Sequence, residues 1–221
     1  MLRWHHPERG LVSPDEFIPL AEDTGMIVEI GAWVLAEASS CVAEWRQEFD
    51  ANFQISVNTS PVQYQENNNE LASWLQNSGG SASAGDGIVM EITEGLMMDA
   101  SDAVSNQLLA FKNAGIQVAL DDFGTGYSSL SYLKRFDIDY IKIDRAFVQN
   151  LNEDENDKAL CEAIVVMAHK LKLKVIAEGV ETESQKLILQ EMGCDYAQGY
   201  LFARPLDKDN IETMIQAKVE A

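Results

Sequence analysis

The feature that most constrains the fold is a strict alternation of short apolar runs with segments of helical length. Crossovers of that length specify parallel strands, either in a doubly wound sheet or in a barrel. No Gly-x-Gly-x-x-Gly pattern follows any run, which argues against a dinucleotide-binding sheet. We therefore predict an α/β fold of the TIM-type (β/α) barrel class. The predicted strands are 53–58, 88–94, 116–120, 138–144, 173–179 and 195–200, and the main predicted helices are 13–25, 26–49, 101–114, 158–171 and 184–192.

Several local signals refine this outline. Ser13-Pro14-Asp15-Glu16 predicts a capping box with Pro in the first turn, and Gly25 predicts the end of that helix. Residues 70–76 are predicted to be helical, and 77–87 to form a Gly/Ser/Ala-rich surface loop too short to link domains. A final amphipathic helix is expected to close the chain. Residues 1–221 are thus expected to form one domain.

The net charge is the unusual part of the composition. With 36 acidic and 16 basic residues the formal charge is −20, which disfavours binding to nucleic-acid polymers and anionic membranes. A small anionic ligand is still compatible if metal ions neutralise the site locally. The three cysteines show no metal-type spacing, and no signal peptide or run long enough to span a membrane is present. We expect reduced thiols and a cytoplasmic location, with any membrane anchor supplied by other domains of a parent protein.

Polar residues end six consecutive predicted strands. In a parallel barrel the carboxyl ends of the strands build the active site. An acid-rich, all-oxygen site suits Mg²⁺ or Mn²⁺, and two such ions can activate water for attack on a phosphodiester. Lys142 would then stabilise developing charge or orient the water, and Glu178 is a candidate proton acceptor. The residues at these strand ends are Asn58, Glu91, Asp121, Asp122, Lys142, Glu178 and Gln198.

Each of these residues also has a purely structural explanation. Asn58 could cap the next turn, Glu91 and Glu94 could pair with surface lysines, and Lys142 could extend its ammonium to solvent. The adjacent Asp121 and Asp122 could belong to a solvated turn. The number of polar strand ends favours a common site over these separate explanations.

The motifs in order resemble those of EAL domains, the phosphodiesterases that open cyclic di-GMP to linear pGpG. The resemblance runs from residue 1 to about Pro205. The matching segments are Arg3-Trp4, Phe17-Ile18-Pro19-Leu20-Ala21-Glu22, Ser56-Val57-Asn58-Thr59-Ser60-Pro61, Glu91-Ile92-Thr93-Glu94, Asp121-Asp122-Phe123-Gly124-Thr125-Gly126-Tyr127-Ser128-Ser129-Leu130, Ile141-Lys142-Ile143-Asp144, Ala177-Glu178-Gly179-Val180-Glu181-Thr182 and Gln198-Gly199-Tyr200-Leu201-Phe202.

The resemblance implies specific roles. The residues that match the ligands of Mg²⁺ or Mn²⁺ are Asn58, Glu91, Asp121 and Asp122. Lys142 matches a water-orienting lysine, and Glu178 matches an acid that is either a general base or a second-metal ligand. Glu94 matches the residue that holds the 121–130 loop in its active form. Arg3, Glu181 and Gln198 match positions near the substrate phosphate and guanines. The 121–130 loop and the helix after it would contribute to a homodimer.

The sequence departs from the family pattern at its start, because the Glu and Ala of the name-giving tripeptide would precede Leu2. We therefore expect a barrel without its first strand, cut from a larger signalling protein with an upstream sensor or cyclase-like domain. The alternative function is a catalytically impaired EAL-type domain that acts as a cyclic di-GMP receptor or a protein-interaction module.

Two other interpretations differ in chemistry. A Schiff-base aldolase could use Lys142 at a strand end, but the acid cluster argues against it. Asp122-Phe123-Gly124 matches a kinase tripeptide, but the chain has neither a kinase Gly-rich loop nor a His-Arg-Asp motif.

Overall fold

A computed structural model describes residues 2–65, 73–74, 85–98, 101–124, 133 and 136–219. The main sheet has six strands in the sequential order β3-β4-β5-β6-β7-β8, and they run parallel as the alternation predicts. The strands are β1 Trp4–His6, β2 Gly10–Val12, β3 Ile55–Asn58, β4 Ile88–Thr93, β5 Gln117–Phe123, β6 Tyr140–Ile143, β7 Lys174–Ala177 and β8 Tyr196–Ala197.

Helices separate these strands almost throughout. They are α1 Pro14–Thr24, α2 Ile27–Glu48, a 3₁₀ helix Pro61–Tyr64, α3 Glu94–Met98, α4 Asp102–Asn113, α5 Arg145–Gln149, α6 Glu155–Lys170, α7 Glu183–Glu191 and α8 Lys208–Val219. None of the described helices combines the length and apolar content needed to cross a bilayer. The chain divides into two compact units, Met1–Met90 with Ala100–Gln117, and Glu91–Asp99 with Val118–Ala221.

The first unit begins with a two-stranded hairpin. Strand β1 pairs antiparallel with β2, with Trp4 opposite Val12, and forms a separate two-stranded sheet. Trp4 also packs edge-on against Phe17 of α1. A groove of about 570 Å³ lies beside this contact, lined mainly by apolar side chains that include Leu20 and Trp33.

Helix α1 has the predicted bounds but not the predicted cap. The Ser13 side chain caps no backbone N–H and instead lies 3.3 Å from an Asp15 carboxylate oxygen, while Glu16 pairs with Arg9. The predicted capping box is therefore wrong, since Ser13 pairs with Asp15 and Glu16 with Arg9 instead. Gly25 ends the helix with φ 76°, in the left-handed region that glycine adopts readily.

The second unit contains the parallel pairs β5–β6, β6–β7 and β7–β8. Its core is formed by fully buried strand residues such as Leu120, Ile141, Ile143 and Val175. An aspartate just before β6 and another just before β8 each accept a hydrogen bond from the preceding strand. Asp139 accepts from the N–H of Val118, and Asp195 accepts from the N–H of Val175, both at 2.8 Å. These bonds fix the register of neighbouring strands at their amino ends.

Two element boundaries differ from the prediction in ways that matter for the site. Glu94, placed at the end of a strand, is the first residue of α3 and is buried. The short helix α5 directly after β6 was not predicted, although Asp144 is a good N-cap and accepts from the Ala146 N–H at 2.7 Å. The predicted helix 70–76 and loop 77–87 lie outside the described residues apart from 73–74 and 85–87.

Candidate functional site

Lys142 lies at the centre of a carboxylate cluster in the second unit. Its Nζ is 2.7 Å from a Glu91 oxygen, 2.9 Å from an Asp121 oxygen and 2.6 Å from a Glu178 oxygen. The Lys142 side chain is only 3% exposed, so it does not extend to solvent. Glu91 likewise pairs with this buried lysine and not with a surface one. The structural explanations for these two residues are therefore wrong.

The strands bring the cluster together in a simple way. Lys142 is the third residue of β6, between β5, which carries Asp121, and β7, after which Glu178 follows. The Glu178 N–H donates to the Ile143 carbonyl at 3.1 Å, so the chain after β7 still follows β6. Parallel strands thus present their carboxyl-end side chains to one lysine, a contact that the sequence did not predict.

A β-bulge directs the two adjacent aspartates apart. Leu120 pairs with Ile141 and Phe123 with Ile143, so Asp121 and Asp122 together lie opposite the single residue between those partners. Asp122 has φ 54°, a left-handed conformation that costs energy in any residue with a side chain and is least unfavourable for Asp and Asn. The Asp121 carboxylate reaches Lys142, whereas the Asp122 carboxyl lies near that of Asp144.

The charges in this cluster do not balance, since three carboxylates surround one ammonium. Burial alone would lower the pKa of Lys142, but Glu91, Glu178 and Asp121 outweigh burial and the pKa is raised, so the lysine stays protonated. Burial raises the pKa of Glu178, Lys142 opposes that effect, and the charges of Asp121 and Glu91 add to it. The pKa of Asp122 is also raised, by burial and then by the charges of Asp121 and Asp144.

Gln198 and Glu94 occupy different surroundings. The Gln198 side-chain amide donates to Glu178 Oε1 at 2.5 Å, which places it directly on the cluster. Neither carboxylate oxygen of the buried Glu94 has a hydrogen-bond partner among the described residues. The loop that Glu94 was expected to hold continues into 125–130, which lies outside the described part of the chain.

The remaining predicted residues are located as follows. Asn58 is the exposed last residue of β3 and Arg3 is an exposed residue before β1, both in the first unit. Asn58 is not the cap of the following turn, because Ser60 caps the 3₁₀ helix with Gln63 in a capping box. Glu181, in the second unit, forms an ion pair with Arg145 at 3.1 Å. Asp144 and Arg145 were missed as neighbours of the site because α5 was not predicted.

The oxygen atoms of this cluster are of the type that binds a hard divalent cation. Carboxylate oxygens are the ligands that Mg²⁺ and Mn²⁺ prefer, and three carboxylates around one ammonium leave negative charge that a cation would relieve. The carboxylates are not gathered around a common metal position: no group of three or more His, Cys, Asp or Glu suited to a metal occurs in the described ranges. Their shared partner is the Lys142 ammonium.

The EAL domain family model matches residues 1–205. The chain belongs to the EAL domain family. It is 42% identical over 221 residues to the bifunctional diguanylate cyclase/cyclic di-GMP phosphodiesterase MucR of Pseudomonas aeruginosa, an alignment that covers 96% of this chain and 31% of MucR. It is 37% identical over 219 residues to the cyclic di-GMP phosphodiesterase NbdA of the same organism, covering 98% of this chain and 28% of NbdA.

A solved structure of the PaMucR phosphodiesterase in complex with c-di-GMP superimposes with a TM-score of 0.85 at 40% identity, covering 96% of this chain and 85% of that one. These similarities confirm the predicted family and the TIM-type α/β fold. The chain spans only about a third of the length of the curated relatives it matches.

Proposed function

We propose that this EAL domain hydrolyses cyclic di-GMP to linear 5′-pGpG, with two Mg²⁺ or Mn²⁺ ions as cofactors. EAL phosphodiesterases are metal-dependent as a class. The observation that carries the proposal is the convergence of three carboxylates, those of Glu91, Asp121 and Glu178, at the carboxyl ends of parallel strands. The names of MucR and NbdA, and the ligand of the PaMucR structure, support cyclic di-GMP as the substrate.

In this proposal the metal ligands are Asn58, Glu91, Asp121 and Asp122. Metal ions bound there would polarise the phosphodiester and acidify a water molecule. Water adds to phosphorus, the bond from phosphorus to the 3′ oxygen breaks, and that oxygen leaves as a hydroxyl after taking up a proton. Lys142 keeps the carboxylates oriented and remains cationic, because its pKa is raised above the ordinary value.

Glu178 is the proton acceptor for the attacking water in this scheme. The raised pKa of its carboxyl, caused first by burial, brings it closer to neutral pH, where a general base works best. Gln198 holds one of its oxygens through a 2.5 Å hydrogen bond. The other predicted roles follow the resemblance: Arg3, Glu181 and Gln198 would lie near the substrate phosphate and guanines, and Glu94 would hold the 121–130 loop, through which the domain would also dimerise.

The test is turnover of cyclic di-GMP with Mn²⁺ by the unmodified chain and by Asp121→Asn and Glu178→Gln, followed by chromatography of pGpG. Both substitutions keep the size and shape of the side chain, so we expect loss of product with an unchanged circular dichroism spectrum. Turnover retained by either folded variant contradicts the proposed site.

A receptor or protein-interaction role is the second candidate. It is favoured by one specific observation, the occupation of the carboxylate cluster by Lys142 instead of an arrangement ready for metal. Binding of cyclic di-GMP by this chain in the presence of Mn²⁺, without any pGpG, would support it over hydrolysis.

A further inference from the structure

We propose that Arg145 is a positioning residue that holds the carboxylate of Glu181 toward a guanine of the ligand. This inference rests on the proposed function and extends it to a residue that the sequence did not single out. Arg145 is the first residue of α5, which follows the lysine-bearing strand, and Glu181 lies three residues beyond Glu178. The pair therefore links the chain after β6 to the chain after β7, beside the cluster.

Three contacts fix the Arg145 guanidinium. Nη2 donates to Glu181 Oε1 at 3.1 Å. With the Gln149 amide turned so that its oxygen faces the guanidinium, that oxygen lies 2.6 Å from both Nη2 and Nε. The aliphatic part of Arg145 crosses Gly179, where a Cβ would come within 2.4 Å of the Arg145 Cγ. Gly179 is thus needed for this path as well as for its φ of 68°.

The main chain of Glu181 is fixed separately. Its N–H donates at 2.8 Å to the side-chain oxygen of Gln185, a buried residue that also completes the capping box of α7. The Gln185 amide donates in turn to the Gln149 carbonyl at 3.4 Å. With the backbone held by α7 and the carboxylate held by α5, the side chain of Glu181 keeps one orientation.

Stability does not account for this arrangement. The side chains of Arg145 and Glu181 are 55% and 40% exposed. An ion pair with this much exposure to solvent contributes little to the free energy of folding. The remaining benefit is a fixed orientation of the Glu181 carboxylate. A carboxylate that is already fixed loses less conformational entropy when it accepts hydrogen bonds from a ligand. Guanine offers two adjacent donors, N1–H and N2–H₂, to such a carboxylate.

The experiment measures binding by calorimetry in Mg²⁺ buffer, with chromatography to check that the ligand stays intact. The probes are cyclic di-GMP and cyclic di-IMP, which lacks the guanine N2 amino group. In the unmodified chain we expect a preference for cyclic di-GMP of about tenfold or more, the usual effect of a hydrogen bond to a charged group. Arg145→Ala should reduce that preference several-fold and Arg145→Lys should restore part of it. Where turnover is measurable, KM should rise with little change in kcat.

Two further variants separate positioning from other roles. In a Glu181→Ala background, Arg145→Ala should have no additional effect, because its influence passes through the missing carboxylate. Lys186→Ala, which removes an exposed ion pair to Glu183 also at 3.1 Å, is the matched control and should leave the preference unchanged.

The outcomes are distinguishable. If the unmodified chain binds neither dinucleotide, the proposed function fails and this inference fails with it. If the chain prefers cyclic di-GMP and Arg145→Ala keeps that preference, this inference alone is overturned. A loss that persists in the Glu181→Ala background also overturns it, since Arg145 would then contact the ligand directly.

Discussion

Replacing Lys142 with Met tests the electrostatics of the cluster directly. Methionine nearly matches the volume of the lysine but leaves Glu91, Asp121 and Glu178 without their shared cation. The Glu91 side chain is 4% exposed, whereas those of Asp121 and Glu178 are 14% and 19% exposed, so Glu91 is the charge that water can least compensate. Removing one partner of such a buried pair costs about 3–5 kcal/mol.

That loss corresponds to a melting temperature lower by roughly 6–20 °C for a domain of this size. The assay is urea and thermal unfolding in a buffer with chelator, so that no metal binds the carboxylates. Lys174→Met is the matched control, because Lys174 begins the neighbouring strand β7 and is exposed. Because its ammonium donates to the Tyr196 hydroxyl at 3.1 Å, we expect the control to cost no more than about 1 kcal/mol.

The pH dependence has a definite sign. The raised pKa of Lys142 means that its contribution is fully present below the ordinary lysine value of 10.5 and is lost only as pH rises through the folded pKa. The deficit of the variant should therefore be constant from neutral pH to about pH 9. It should shrink in acid as Glu178, whose carboxyl pKa is raised first by burial, becomes protonated.

A second substitution shows whether the buried charge is the cause. Lys142→Met combined with Glu91→Gln removes the lysine and its least exposed carboxylate together, and we expect it to recover much of the loss. A single Lys142→Met variant within 1 kcal/mol of the unmodified chain at pH 7.5 would refute the reasoning.

Three further predictions concern single residues. Glu178→Gln should raise the free energy of unfolding at pH 7, because the charged form of a carboxyl with a raised pKa is disfavoured in the folded state; calorimetry should show this gain shrink as pH falls toward 4.5. Asp195→Asn should cost about 1 kcal/mol at pH 7. The Asp195 carboxylate is hydrogen-bonded to His169 and to the Val175 N–H, and these bonds outweigh the effect of burial and lower its pKa. Urea titrations should therefore show the cost of the substitution disappear as pH falls through the folded pKa of Asp195. Asp122→Gly should be more stable than Asp122→Ala by about 1 kcal/mol in the same assay, because φ at this position is 54°.

The sequence predicts the strands of the second unit well because each is a short apolar run between clear boundaries. The prediction of β5 ended at Leu120, yet the strand continues through Asp121 and Asp122 to Phe123. Two adjacent acids normally favour a turn over a strand. Here the bulge and the contact with Lys142 keep them in the strand, and neither is visible in local sequence.

The cluster itself was predicted as a set of strand ends, but its central contact was not. Sequence spacing placed Lys142 near the acids without showing that its Nζ would touch three of them. Helix α5 was missed because five residues between a strand and a loop carry too weak a periodic signal. The pair formed by Arg145 and Glu181 was missed with it, since 36 residues separate its members.

Acidic residues have opposite tasks at the two ends of this sheet. At the amino ends, Asp139 and Asp195 accept backbone N–H groups of the neighbouring strand, and each contact is satisfied within the fold. At the carboxyl ends, Glu91, Asp121 and Glu178 share one lysine, so negative charge remains in excess. Position along the strand, more than residue type, thus separates structural carboxylates from those available to a ligand. At the proposed site, metal cations would have to offset this local excess before an anionic dinucleotide could bind.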